Sequence, residues 1–82
     1  MKLFLIAQNE NNEYDTYDSA VVCAENEEVA SNMNPANGEA TIDWGRSYSA
    51  WCSSVEKVEV KYLGEAAKDI KPGIVCASFN PG

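Results

Sequence analysis

Apolar residues in this chain fall into short runs, the longest of about five residues. Runs of this length suit β-strands and are too short to cross a membrane. The first run, residues 2–8 (KLFLIAQ), is almost continuously apolar. This predicts a strand covered on both faces, or one whose second face meets loops. Residues 18–24 (DSAVVCA) predict a second strand, paired with the first as a hairpin across an Asn-rich turn.

One segment of the chain has the apolar spacing of a helix, between segments with the spacing of strands. Residues 25–33 place Val29, Ala30 and Met33 on one face of a short helix, with Asn26 as its N-cap. Residues 56–63 (EKVEVKYL) then alternate as a half-buried strand, and residues 73–79 (GIVCASF) predict the last strand. The order β-β-α-loop-β-β predicts one α+β domain over residues 1–82. It has a small four-stranded, mostly antiparallel sheet with one short helix packed on a face.

Residues 34–54 form a connection that is long for a compact domain. The segment contains Trp44, Tyr48 and Trp51, so two interpretations are open. The aromatic side chains complete a small core, or part of the group forms an exposed patch that binds a partner. Arg46 lies among them, and Trp, Tyr and Arg are common anchors of protein interfaces.

The residues that usually carry catalysis or bind metals are scarce. The chain has no His, which removes the commonest general base and zinc ligand. Cys23 and Cys76 lie in predicted strands, where we expect buried thiols, and Cys52 follows Trp51. Three widely spaced cysteines indicate a reduced, cytoplasmic compartment and not a zinc site. Residues 10–18 (ENNEYDTYD) lack the spacing of a calcium loop. We therefore expect no enzyme activity, no metal and no cofactor.

Acidic residues are concentrated in the first half of the chain. Residues 1–45 carry a net charge of −8 and residues 46–82 carry +1. An ordinary reading is that this charge keeps a small domain soluble. The functional reading is that the acids mimic DNA and bind a basic protein surface. The predicted contacts are Glu10, Glu13, Asp15, Asp18, Glu28, Glu39 and Asp43, with secondary contacts from Tyr14, Tyr17, Trp44, Arg46 and Trp51.

Three stretches also resemble known proteins: MKLFLIAQ at the start, YDTYDSAVVCAENEEVA (residues 14–30) and GIVCASFNPG (residues 73–82). They resemble small acidic proteins encoded by phages and prophages, including anti-CRISPR inhibitors of type I (type I-C) Cascade complexes. The resemblance implies a non-enzymatic inhibitor in the host bacterial cytoplasm that blocks the DNA-binding site of the effector complex.

The expected partner is thus a basic nucleic-acid-binding protein or complex. We expect the chain to be a monomer that contacts neither nucleic acid nor membrane directly. The alternative function is a generic phage accessory module that binds its partner through the aromatic segment, residues 44–51.

Overall fold

The computed structural model describes residues 1–11, 15–38, 44 and 51–80. Four antiparallel strands form one sheet in the order β3-β1-β2-β4. This confirms the predicted α+β fold. The elements are β1 (Lys2–Ala7), β2 (Thr16–Ala24), the helix α1 (Glu27–Ser31), a 3₁₀ turn (Val55–Lys57), β3 (Glu59–Glu65) and β4 (Gly73–Asn80).

The core lies on one face of the central hairpin. Phe4 pairs with Val22 and Ile6 with Ala20, which places these four side chains on the same face of β1 and β2. All four are buried. The helix, the residues just after it and the segment before the 3₁₀ turn cover this face, contributing buried Ala30, Met33, Trp51 and Cys52.

Both ends of α1 are closed by asparagine side chains. Asn26 accepts a hydrogen bond from the backbone N–H of Val29 at 2.9 Å, as predicted for the N-cap. Asn32 donates from its side chain to the carbonyl of Glu28 at 2.9 Å. The helix therefore ends at Ser31, two residues before the predicted end, because Asn32 satisfies a carbonyl of its last turn.

The opposite face of the sheet is only partly covered. Residues 66–72 join β3 at one edge to β4 at the other, and they pass over the end of the hairpin. There the thiol of Cys23 lies 3.9 Å from the carbonyl oxygen of Ile70, and the backbone N–H of Ala66 donates to Met1. Cys23 is fully buried as a result, whereas Leu5 and Val21 on this face are half-buried.

Cys76 does not share the burial of Cys23. The prediction that both thiols are buried is wrong for Cys76, which is exposed because it lies on the edge strand β4. Among the described residues, no helix is long and apolar enough to cross a membrane.

Candidate functional site

The fold sorts the charged residues to the two ends of the sheet. We call residues 8–11, 15–18 and 51–59 the loop end, and residues 1–2, 25–28 and 65–72 the crossover end. The described part of the loop end carries five carboxylates and a single lysine: Glu10, Asp15, Asp18, Glu56, Glu59 and Lys57. The crossover end carries Glu25, Glu27, Glu28, Glu65 and Asp69 together with Lys2, Lys68 and Lys71.

Gln8 organises the loop end. Its side-chain oxygen accepts from the backbone N–H groups of Glu10 and Asn11, at 2.9 and 2.8 Å. Its side-chain nitrogen donates to the carbonyl oxygens of Asn11 and Tyr17, at 2.6 and 2.9 Å. An amide offers two donors and two acceptor positions, so this buried side chain is fully used. The turn after β1 is thereby fastened to β2.

Glu10 fastens the loop end to the segment before the 3₁₀ turn. Its carboxylate accepts a hydrogen bond from the backbone N–H of Ser53 at 2.9 Å. Hydrogen bonds from Ser53, helped by the positive charge of Lys57, lower the pKa of Glu10. Asn11 adds a side-chain hydrogen bond to the carbonyl of Trp51 at 3.2 Å. Glu10 therefore holds local structure as well as contributing charge.

Two further acids come from the second half of the sequence. Because β3 pairs with β1, Glu59 lies opposite Ala7, and the 3₁₀ turn brings Glu56 to the same end. Together with Asn9, Glu10 and Lys57 they line an open groove of about 370 Å³. Sequence reasoning omitted Glu56 and Glu59 from the predicted contacts. The alternation of residues 56–63 places Glu59 on a solvent-facing position, but only the strand order brings it beside Glu10.

Asp15 and Asp18 complete the described part of the loop end. Both side chains are exposed. Asp15 has a φ of 61°, a left-handed conformation that Asp and Asn tolerate better than most residues. Asp18 is the extra residue of β2 at a bulge, between the pairs that Tyr17 and Ser19 make with β4. The structure thus presents Asp15 from a residue in the left-handed conformation and Asp18 from a bulge.

The other predicted contacts are distributed differently. Glu28 lies on α1, away from the loop end, although its side chain is exposed. Tyr17 is half-buried, packs against the core and contacts the ring of Phe79 in a tilted arrangement, with ring centroids 4.8 Å apart. Glu13, Tyr14, Glu39, Asp43 and Arg46 lie outside the described residues.

The two tryptophans occupy unlike environments. Trp51 is 3% exposed and belongs to the core, the first of the two interpretations open from sequence. Its Nε1 has no hydrogen-bond partner among the described residues. Trp44 is only half-buried, and its Nε1 donates to the side-chain oxygen of Asn32 at 2.8 Å. Of the two side chains, Trp44 has more exposed surface that could contact a partner. The proposed partner contacts of both residues remain predictions.

Burial raises the pKa of the Cys52 thiol, which keeps it in the weakly nucleophilic protonated form. Within residues 1–11, 15–38, 44 and 51–80, no three His, Cys, Asp or Glu side chains are grouped so that they could hold a metal ion. The loop end therefore presents negative charge on loops that are held in place by the hydrogen bonds of Gln8, Glu10 and Asn11.

Comparisons with known proteins add no relative. The chain matches no protein-family model, no curated protein and no solved structure.

Proposed function

We propose that this chain is a non-enzymatic inhibitor whose loop end docks on the basic, DNA-binding surface of another protein and competes there with DNA. The observation that supports this is the charge of the loop end, where five exposed carboxylates face one lysine in the described residues. The crossover end has as many described acids but three lysines, so the excess negative charge is local.

The way the acids are held also supports docking. Duplex DNA carries one negative charge per about 1.7 Å of its axis, so a mimic needs several carboxylates close together. The loop end supplies them from β2, the turn after β1 and the start of β3. Gln8 and Glu10 join the turn after β1 to β2 and to the segment before the 3₁₀ turn by hydrogen bonds to backbone groups. Charges on a fixed frame lose little conformational entropy on binding.

Within this proposal, the target is the DNA-binding site of a type I CRISPR effector complex. The support is the resemblance of residues 14–30 and 73–82 to phage-encoded inhibitors of Cascade. A lysine-lined DNA channel is chemically complementary to the loop end. Such complementarity would accelerate association, and salt would weaken it.

The test neutralises two acids at a time, at one end or the other. Asp15→Asn with Asp18→Asn removes two charges from the loop end, and Asn suits the left-handed conformation of residue 15. Glu25→Gln with Glu27→Gln removes two exposed charges from the crossover end and is the matched control. Binding to a purified type I-C effector complex is measured at low and high salt, with and without target duplex DNA.

We expect the loop-end pair to weaken binding by about tenfold or more and the control pair by about twofold or less, because only the former acids face the basic site. Target DNA should displace the wild-type protein. Equal losses for the two pairs would show that overall charge matters and the loop end does not. Simultaneous binding of protein and DNA would exclude competition.

A further inference from the structure

Residues 34–38 form a turn after α1, and the turn ends in the only Asn-Gly pair of the chain, Asn37–Gly38. Asparagine is among the residues most prone to spontaneous chemical change, and the reaction uses the backbone nitrogen of the next residue. Glycine has no Cβ to obstruct that nitrogen, so Asn-Gly is the most reactive pair. Every other asparagine precedes a residue with a side chain or, at Asn34 and Asn80, a proline whose nitrogen carries no hydrogen.

The fold leaves Asn37 exposed but engages the backbone of the turn. The backbone N–H of Gly38 donates to the carbonyl of Asn34 at 2.7 Å. The side chain of Asn34 accepts from the backbone N–H of Ala36 at 2.9 Å and so supports the same turn. The nitrogen that must react is therefore held in a hydrogen bond until the turn opens.

From these contacts we propose that Asn37 is a site of spontaneous deamidation, which the folded turn slows. The proposal does not depend on the DNA-competing function. When the turn opens, the Gly38 nitrogen loses its proton to solvent and attacks Cγ of Asn37. A bond forms between that nitrogen and Cγ, the bond from Cγ to the side-chain nitrogen breaks, and ammonia leaves.

Water then opens the resulting succinimide ring in one of two places. Cleavage between Cγ and the Gly38 nitrogen gives aspartate at position 37. Cleavage between the backbone carbonyl carbon and the same nitrogen gives isoaspartate, in which the chain runs through Cβ and Cγ. Either product adds one negative charge, and only isoaspartate lengthens the backbone, by one methylene.

The longer backbone falls where the turn packs closely on the start of β4. Gly38 has a φ of 75°, in the left-handed region that favours glycine. A Cβ added to Gly38 would lie 3.1 Å from the backbone nitrogen of Ile74 and 3.2 Å from Cα of Gly73. An extra methylene in the backbone just before Gly38 therefore displaces this contact. Isoaspartate should loosen the start of β4, whereas aspartate changes the charge and keeps the length of the backbone.

The first test compares the folded protein with the chain unfolded in guanidinium chloride. Both are incubated at mildly alkaline pH, digested after glutamate residues and analysed by tandem mass spectrometry. We expect Asn37 to convert faster than any other asparagine, and about tenfold or more faster in the unfolded chain than in the folded protein. An Asn37 that is not converted in the unfolded chain would overturn the proposed site. Equal rates in the two states would overturn the protection by the turn.

A pair of variants tests the role of the turn. Asn34→Ala removes the hydrogen bond to Ala36, and Asn26→Ala, the matched control, removes a hydrogen bond of the same 2.9 Å length at the start of α1. Asn34→Ala should accelerate deamidation of the folded protein about threefold or more, and Asn26→Ala by about 1.5-fold or less. Circular dichroism confirms that both variants are folded. Equal acceleration would show that general loss of stability sets the rate and would contradict the role of the turn.

Hydrogen exchange measures the opening of the turn without any substitution. The protection factor of the Gly38 amide should match the factor by which folding slows deamidation, because both reactions need the same hydrogen bond to open. A Gly38 amide that exchanges as fast as in the unfolded chain would overturn the proposed protection.

The last measurement tests the consequence for β4. The isoaspartate form is separated by chromatography, and the variant Asn37→Asp serves as the reference for the added charge alone. We expect the isoaspartate form to unfold about 5 °C or more below Asn37→Asp in a thermal scan. Equal melting temperatures of the two would overturn the displacement of the contact between Gly38 and the start of β4.

Discussion

The loop end and the crossover end carry the same number of described carboxylates, yet they differ in net charge. Five acids share the loop end with Lys57, whereas five acids share the crossover end with three lysines. This contrast is not the one between the two halves of the sequence. Glu56 and Glu59, from the more basic half, join the loop end. The acids around α1 instead share the crossover end with Lys2, Lys68 and Lys71. Folding therefore creates a charge asymmetry that differs from the sequence asymmetry.

The two ends also differ in what holds them. At the loop end, the side chains of Gln8, Glu10 and Asn11 hold neighbouring segments together by hydrogen bonds to their backbone groups. At the crossover end, the backbone N–H of Ala66 donates to the carbonyl of Met1, and the Cys23 thiol lies close to the carbonyl of Ile70. The loop end should therefore be the more sensitive of the two to single substitutions.

The largest effect is expected for Trp51→Ala. Trp51 fills the core beside the loop end, and removing a buried Trp side chain costs about 3 to 5 kcal/mol of unfolding free energy. Urea denaturation followed by far-UV circular dichroism measures this loss. Trp44→Ala is the control, with an expected loss of about 1 to 2 kcal/mol because Trp44 is only half-buried. Similar losses for both would mean that Trp51 is no more important to the core than Trp44.

Gln8→Ala tests whether one side chain supports the loop end. It removes four hydrogen bonds and should lower the unfolding free energy by about 3 kcal/mol. Gln8→Glu keeps the shape and the acceptors but loses both donors, so at neutral pH it should destabilise the fold about as much. Urea titrations of both variants provide the measurement. Wild-type stability of Gln8→Glu would contradict the role of the donated bonds.

At the crossover end, Asn26→Ala should have a smaller effect. The variant loses the N-cap of α1, which typically costs about 1 kcal/mol. Asn26→Asp retains an acceptor and should be close to wild type. Thermal unfolding of the three proteins separates these cases. If Asn26→Ala destabilised the protein more than Gln8→Ala, the loop end would not be the more sensitive end.

The smallest effect concerns the pH dependence due to Glu10. Because hydrogen bonds from Ser53 lower the pKa of Glu10 in the folded protein, its contribution to stability is present above the unfolded-state pKa. That contribution is lost as the pH falls through the lowered folded-state pKa. Between about pH 5 and pH 3, Glu10→Gln should therefore lose less stability than the wild type. The chemical shift of the Ser53 amide, measured by NMR as a function of pH, should follow the protonation of Glu10. A Ser53 chemical shift that does not change with pH would contradict the hydrogen bond between Ser53 and Glu10.

Patterns within single elements were predictable from sequence. The alternation of residues 56–63 predicted a strand, and β3 is found at Glu59–Glu65, with a 3₁₀ turn at Val55–Lys57 where the strand was expected to begin. Val58 and Val60 pack against the core, and Asn26 caps the helix as expected. These features depend on neighbours in the chain, which the sequence displays directly.

Features that depend on strand order were not predictable. Glu59 reaches the loop end only because β3 pairs with β1, and nothing in residues 56–63 specifies that partner. Cys23 and Cys76 occupy similar apolar runs, yet one is buried on a central strand and the other exposed on an edge strand. In the sequence, Gln8 is only a polar residue between a strand and an Asn-rich turn, which weakly indicates a structural role. Its four hydrogen bonds could be identified only from the folded structure.

The sheet order also has a consequence for folding kinetics. The two central strands form a local hairpin, whereas each outer strand pairs with residues distant in the chain, such as Ala7 with Glu59 and Thr16 with Asn80. Closing those long loops costs entropy before any pairing is gained, so the hairpin should form first. Substitutions in the hairpin core, such as Val22→Ala, should mainly slow refolding. Substitutions in β4, such as Ile74→Val, should mainly speed unfolding.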